Sequence, residues 1–434
     1  MLRVTTAESS PPSAGQVLEL AVGDVVHGGW CVCRQNDTGW VIFVRHALPG
    51  ERVRARITQV TSRFARADAV EIIEPSADRV PAPCRYAGPG RCGGCDWQHA
   101  TLPAQRLLKA AVVAQQLKRL AGLELQVTVE AVPGHSGGLG WRTSVSFAVD
   151  AAGVVGLHRH RSREVIGVSQ CLIAHPLVGE TGVLARRWPG VQGIEVDVVP
   201  DSGERGVLVS ARRRPADLPG LDELAADSVQ VGRTPVRGRG YLAHRAAGRD
   251  WRVGVGGFWQ AHPGAADLLS GAVLAALTPV PGEVALDLYC GAGLFAGVLA
   301  TRVGPAGAVV AIEGDAAAVR DARHNLREFP WARVHKGDVA AVLGRLGTLR
   351  DGADADVVVL DPPRTGADRA VVDALCDRRA GRLRRIAYVS CDPATLARDL
   401  RLLLDGGWRL DGLRAFDAFP MTHHVECLAT LARD

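Results

Sequence analysis

Between Val17 and Glu74 the apolar residues fall in short β-branched runs, Val41 to Val44, Val53 to Ile57 and Ala69 to Ile73, separated by glycine and proline turns. Runs of that length and spacing predict a small OB-like β-barrel ending near Pro75. From Leu102 to Leu120 the period changes: Leu107, Val113, Leu117 and Leu120 recur at helical spacing, which predicts an amphipathic helix with those residues as its core stripe. Residues 123–255 read as further strands with glycine-rich turns. From Gly256 strands alternate with helical stretches, the strands being Val284–Leu288, Val309–Glu313, Val357–Leu360 and Ile386–Ser390. That alternation specifies a doubly wound α/β domain. The pattern divides the chain into a disordered 1–15, a barrel over 16–75, a β-rich central domain over 76–255 and the α/β domain over 256–434.

Composition narrows the class. With 47% hydrophobic and 22% charged residues the chain is globular, and the longest apolar stretch, Val284 to Ala300, is interrupted by Asp287 and is no membrane span. The first fifteen residues are rich in Ser, Thr and Pro and resemble neither signal nor anchor, so a cytoplasmic protein is expected. A net charge of +5 does not by itself argue for nucleic acid. Nearly all the cations are arginine, which suits bidentate phosphate contacts but which a GC-rich genome explains better. Arg45, Arg52, Arg54 and Arg56 lie at mostly alternating positions that place several on one strand face, and LHRHRSREV (157–165) concentrates further basic side chains. Ten cysteines in such a chain suggest thiols, metal ligands or catalysis rather than disulfides.

Three motifs carry chemistry in the α/β domain. LDLYCGAGLF (286–295) runs a strand into Gly291 and Gly293, where a backbone can approach a nucleotide closely, and Glu313 ends the next strand where an acid binds a ribose diol. The six-residue dinucleotide fingerprint is missing, so S-adenosylmethionine fits better than NAD; Asp338 is placed on the adenine side. LDPPRTG (360–366) forms a stiff loop presenting Asp361 to a planar substrate. YVSCDPATLARDL (388–400) puts Cys391 at a strand mouth before a helix, whose N-terminus favours thiolate; a buried structural cysteine is the bland alternative. A thiolate added at carbon 6 of uracil makes carbon 5 nucleophilic toward a methyl group, and Glu426 in DAFPMTHHVECL (417–428) is the candidate base for the carbon 5 hydrogen.

With HGGWCVCR (27–34) and FVRHALPGERVRARI (43–57), which resemble a TRAM domain, these motifs make nearly the whole chain similar to the TRAM-containing RNA uracil-5-methyltransferases. The resemblance implies a class I methyltransferase domain, Cys391 as nucleophile, Glu426 as base and Asp361 as a partner of the uracil. It implies S-adenosylmethionine contacts from Gln260 in GGFWQAHP (256–263), Tyr289, Glu313 and Asp338. Leu294 and His262 depart from the family, which often has a polar residue and Asn there. Cys84, Cys92, Cys95 and Cys171 supply four thiols, three clustered and one remote, which suits a 4Fe-4S iron–sulfur cluster; structural zinc is the competing reading. The family's cluster-bearing branch has the same CGGC core, with a shorter first gap than the one here. That branch includes ribosomal enzymes, so 23S rRNA is the first expected substrate and tRNA the second, with a monomer acting away from membranes. Nitrogen methylation, or an RNA-binding iron–sulfur protein without catalysis, are the rival readings.

Overall fold

The computed structural model describes residues 11–35, 39–134, 137–211, 218, 220–346, 355–377 and 382–433. Residues 1–10 of the expected disordered stretch lie outside them. β1 (Val17–Val26), β2 (Trp30–Arg34), β3 (Val41–Arg45), β4 (Arg52–Val60) and β5 (Ala65–Glu74) close into a barrel in the order β1-β2-β3-β5-β4. The alternation in β4 does what its sequence requires: Val53, Ala55 and Ile57 fill the barrel while Arg52, Arg54 and Arg56 face out. Not all the barrel arginines face a ligand. Arg52 is paired with Glu19 and Arg54 with Glu71, and Arg45 is buried against Asp96.

α1 (Leu102–Gln116), capped by Thr101, continues into one π-helical turn at Leu117–Ala121. The expected stripe is only half right. Val113 and Leu117 are buried, whereas Leu107 is 69% and Leu120 39% exposed. The helix is wedged between the barrel and the C-terminal domain, so its buried face includes Gln105 and Lys109, whose polar ends find partners across that junction.

β6 (Val129–Ala131) pairs with the C-terminal sheet, so the segment 76–255 is not one unit. β7 (Ser144–Val149), β8 (Val155–His158), β9 (Val165–Gly167), α2 (Pro176–Glu180), β10 (Val191–Val198), β11 (Arg205–Ala211), β12 (Ser228–Val231) and β13 (Thr234–Arg237) follow. Their sheet has the order β13-β12-β11-β10-β7-β8-β9. The hairpin β14 (Tyr241–Ala246) and β15 (Arg249–Gly254) leans on the C-terminal domain, with Trp251 buried in that domain's core.

The last domain comprises α3 (Ala265–Leu277), β16 (Val284–Leu288), α4 (Leu294–Val303), β17 (Ala308–Glu313), α5 (Ala316–Asn325), β18 (Ala332–Lys336) and α6 (Val339–Leu346). It continues through β19 (Val357–Leu360), α7 (Arg369–Cys376), β20 (Arg385–Ser390), α8 (Pro393–Asp405), β21 (Arg409–Asp417) and β22 (Glu426–Ala432). The sheet runs β18-β17-β16-β19-β20-β22-β21-β6, parallel from β18 to β20, with β22 antiparallel to its neighbours. Both faces are covered, Leu286, Leu360 and Tyr388 packing on one side and Ala285, Val359 and Val389 on the other. That is why these strands read as continuous apolar runs. Among the described residues no helix is long and apolar enough to cross a membrane.

Candidate active site

Strand order reverses between β16 and β19, and at such a switch point a crevice opens beyond the carboxyl ends of the strands. On the β16 side the chain turns sharply, with Tyr289 held at φ 64° and Gly291 at φ 52°. The Gly291 amide donates to Glu313 Oε2 (2.9 Å), and the Asp315 amide to Oε1 (2.7 Å), which locks the carboxylate at the end of β17. The two glycines divide the work. A Cβ on Gly291 would meet nothing within 4 Å, so that turn faces open space, whereas one on Gly293, which precedes α4, would meet Ala322 at 3.4 Å. Asp338 Oδ1 accepts from the Ala341 amide (2.9 Å) and stands within electrostatic reach of Tyr289. Gln260 is buried in the connection from β15 to α3.

Sequence reasoning passed over Asp287. It is fully buried in β16, with Oδ2 accepting from the Ala296 amide (2.7 Å) and Oδ1 without a partner. Burial above all, with Asp361 and Glu313 adding, pushes its carboxyl up to about 8. A charged residue inside an apolar strand was the signal. A buried orphan oxygen, an open glycine turn and a fixed acid at the next strand end fit a bound nucleoside with a cationic tail.

On the other side of the crevice, β22 runs antiparallel to β20 with Ser390 opposite Cys427. Register therefore sets Glu426, the first residue of β22, beside Cys391, the residue after β20. Asp361, leaving β19, completes the group. Burial holds the Glu426 carboxyl well above the usual carboxylate range, with Asp361 adding to it, and burial pushes Asp361 up to about 7. The helix N-terminus does not lower the Cys391 thiol as expected from sequence. Burial first, then Glu426 and Asp361, push it up to about 12, against the opposing pull of Arg364. Arg364 in the DPPR loop is thus a favourable charge for the thiol. The loop itself is clamped from α8, where Asp399 Oδ2 accepts from the Ala367 amide (2.9 Å) and the Tyr388 hydroxyl (2.6 Å). Asp361, expected to meet the planar substrate, stands within electrostatic reach of Asp287, Glu426 and Cys391.

 Cys84, Cys92, Cys95 and Cys171 line one cavity, the first three lying between β5 and α1 and the last between β9 and α2. Each of Cys92, Cys95 and Cys171 is pushed up by burial and by one or more of the other thiols. Backbone amides point at the sulfurs, Gly94 N to Cys92 Sγ at 3.4 Å and those of Ile173 and Ala174 to Cys171. Among the described residues, no group of three or more His, Cys, Asp or Glu is arranged to hold a metal ion. The expected cluster ligands therefore ring a cavity rather than converge on a point.

The chain matches the TRAM domain model over residues 13–70 and the tRNA (Uracil-5-)-methyltransferase model over residues 343–434. It is 51% identical over 434 residues to an uncharacterized RNA methyltransferase of Streptomyces avermitilis, covering 96% of this chain and 98% of that protein. An uncharacterized RNA methyltransferase of Bifidobacterium longum is 33% identical over 421 residues, covering 92% of this chain and 94% of that protein. Among solved structures, the Pyrococcus abyssi tRNA (uracil-54, C5)-methyltransferase in complex with S-adenosyl-L-homocysteine matches with a TM-score of 0.68 at 23% identity. The match covers 95% of this chain and 100% of that one, and at this identity it speaks for the fold.

Proposed function

The chain belongs to the RNA methyltransferase family that joins a TRAM domain to a tRNA (uracil-5-)-methyltransferase region, and from that premise we propose that it methylates carbon 5 of a uridine through a covalent Cys391 adduct. The observation that carries this reading is the β20–β22 register, which sets Glu426 beside Cys391 with Asp361 next to both. S-adenosylmethionine, when bound, supplies a methyl group on a sulfonium. Gln260, Tyr289, Gly291, Glu313 and Asp338 hold it, with Gly293 supporting the turn from behind.

Cys391 Sγ, its proton passed to water, adds as thiolate to carbon 6, and the electron pair moves through carbon 5 to the carbon 4 oxygen, where Asp361 orients the ring. The enolate re-forms its carbonyl as carbon 5 takes the methyl group, and the pair of the broken S–CH3 bond would stay on the cofactor sulfur, leaving it uncharged. Glu426 removes the hydrogen from carbon 5, the double bond re-forms, and the Cys391 sulfur is expelled. Nitrogen methylation would leave both Cys391 and Glu426 without work.

Cys84, Cys92, Cys95 and Cys171 would hold a 4Fe-4S cluster. Four thiols around a cavity suit a cube, whereas zinc needs its donors to converge on one point. Because methyl transfer has no redox step, a cluster held there would serve the structure or the RNA-facing side. On the strength of that ring we assign 23S rRNA as the substrate, ahead of tRNA; loss of 5-methyluridine from tRNA alone, in cells lacking the gene, would reverse the order.

The reaction is tested by two variants. Cys391→Ala should bind RNA and transfer no methyl. Glu426→Gln keeps the nucleophile, so it should stall as a methylated protein–RNA species that survives denaturing electrophoresis. A Glu426→Gln protein that folds, binds both ligands and yields no such species would remove Glu426 as the base.

A further inference from the structure

The turn between β1 and β2 reaches out of the barrel to the residue that follows the nucleophile. His27 Nε2 lies 3.2 Å from Asp392 Oδ2. Asp392 uses its other oxygen to cap α8, accepting from the Ala394 (2.9 Å) and Thr395 (3.0 Å) amides. The turn is closely seated: a Cβ on Gly29 would come within 3.0 Å of Asp96 and 3.2 Å of His423. The His27 ring meets His423 edge-on at 6.3 Å.

We propose that His27 is a positioning residue through which the barrel governs the reactivity of Cys391. The inference rests on Cys391 being the nucleophile. Asp392 places a negative charge one residue from the thiol, beside the carboxyls of Glu426 and Asp361 that already oppose its ionisation; Arg364 is the favourable charge among them. His27 donates a hydrogen bond to the Asp392 carboxylate from the far side and holds it away from the thiol. Burial would raise the Asp392 carboxyl, but the His27 hydrogen bond and the capped amides outweigh it and hold it at about 2. Asp392 is therefore charged throughout the neutral range, and what varies is whether the barrel is there to hold it. A module expected only to grip RNA thus acts on the chemistry.

The test follows iodoacetamide alkylation of Cys391 by peptide mass spectrometry in the full-length protein without RNA, at one mildly alkaline pH. His27→Ala should slow alkylation by about threefold, the effect of leaving a nearby carboxylate without the hydrogen-bond donor that holds it. Asp392→Asn, which keeps the helix cap and removes the charge, should speed it. In the Asp392→Asn background His27→Ala should then change nothing, which a general loosening of the barrel would not reproduce. Equal slowing in both backgrounds, or none in either, overturns the proposal. Methyl transfer by Cys391→Ala would instead overturn the nucleophile assignment, a separate result.

Discussion

Two groups of thiols sit in buried, electrostatically unfavourable places for opposite reasons. Around the cavity, Cys92, Cys95 and Cys171 oppose one another's ionisation, and backbone amides reach their sulfurs. At the crevice, Cys391 is opposed by carboxyls, and the helpful charge is Arg364. Thiols that repel one another while amides wait around them are relieved by a cationic centre placed among them. A thiol among carboxyls is relieved only when a cation or the substrate arrives. The difference separates a ligand set from a nucleophile more clearly than burial does, since both are buried.

The largest effect expected from this contrast is all-or-none. Protein purified without oxygen should be brown and contain about four irons per chain, and Cys92→Ala or Cys171→Ala should lose them while Cys391→Ala retains them. Zinc without iron in the wild type would end the distinction as drawn.

Much of this was legible beforehand because each signal was local. The barrel, the α/β alternation and the sharp turn at Gly291 follow from period and glycine placement, and Cys391 and Glu426 stood out as chemistry near strand ends. What was missed depends on partners distant in sequence. The thiol of Cys391 was expected to be lowered by its helix, because the carboxyls that raise it come from β19 and β22. Arg45 looked like a phosphate ligand until Asp96 took it. Leu107 and Leu120 were given to the core because periodicity shows a stripe, not which side of a helix two domains will cover.

An intermediate effect should divide the two thiol groups by step. The CGGC turn abuts the basic hairpin: Gly93 N donates to His158 O (3.0 Å), and a Cβ on Gly93 would meet the His160 backbone at 2.6 Å. Losing the ring should release that hairpin and remove cations from the RNA face. Cys92→Ala is expected to weaken RNA binding about tenfold at moderate salt and flatten its salt dependence, while leaving the methyl transferred per bound RNA unchanged. Cys391→Ala should do the reverse. If Cys92→Ala bound RNA normally and lost turnover instead, the ring would act on chemistry rather than on binding.

The smallest effect expected bears on what relieves Cys391. Asp287, Asp361 and Glu426 are all held toward their neutral forms in the free protein, Glu426 in a form that cannot yet act as a base. A sulfonium in the crevice brings one positive charge toward these groups and the thiol, which favours the ionised form of each. S-adenosylhomocysteine occupies the same space without the charge. Alkylation of Cys391 should therefore run about threefold faster with S-adenosylmethionine than with S-adenosylhomocysteine, each at saturation and without RNA, whatever shielding both impose. The cavity thiols should not distinguish the two. Equal rates at Cys391 would mean that the sulfonium does not prepare the nucleophile, and that RNA alone must supply the relief.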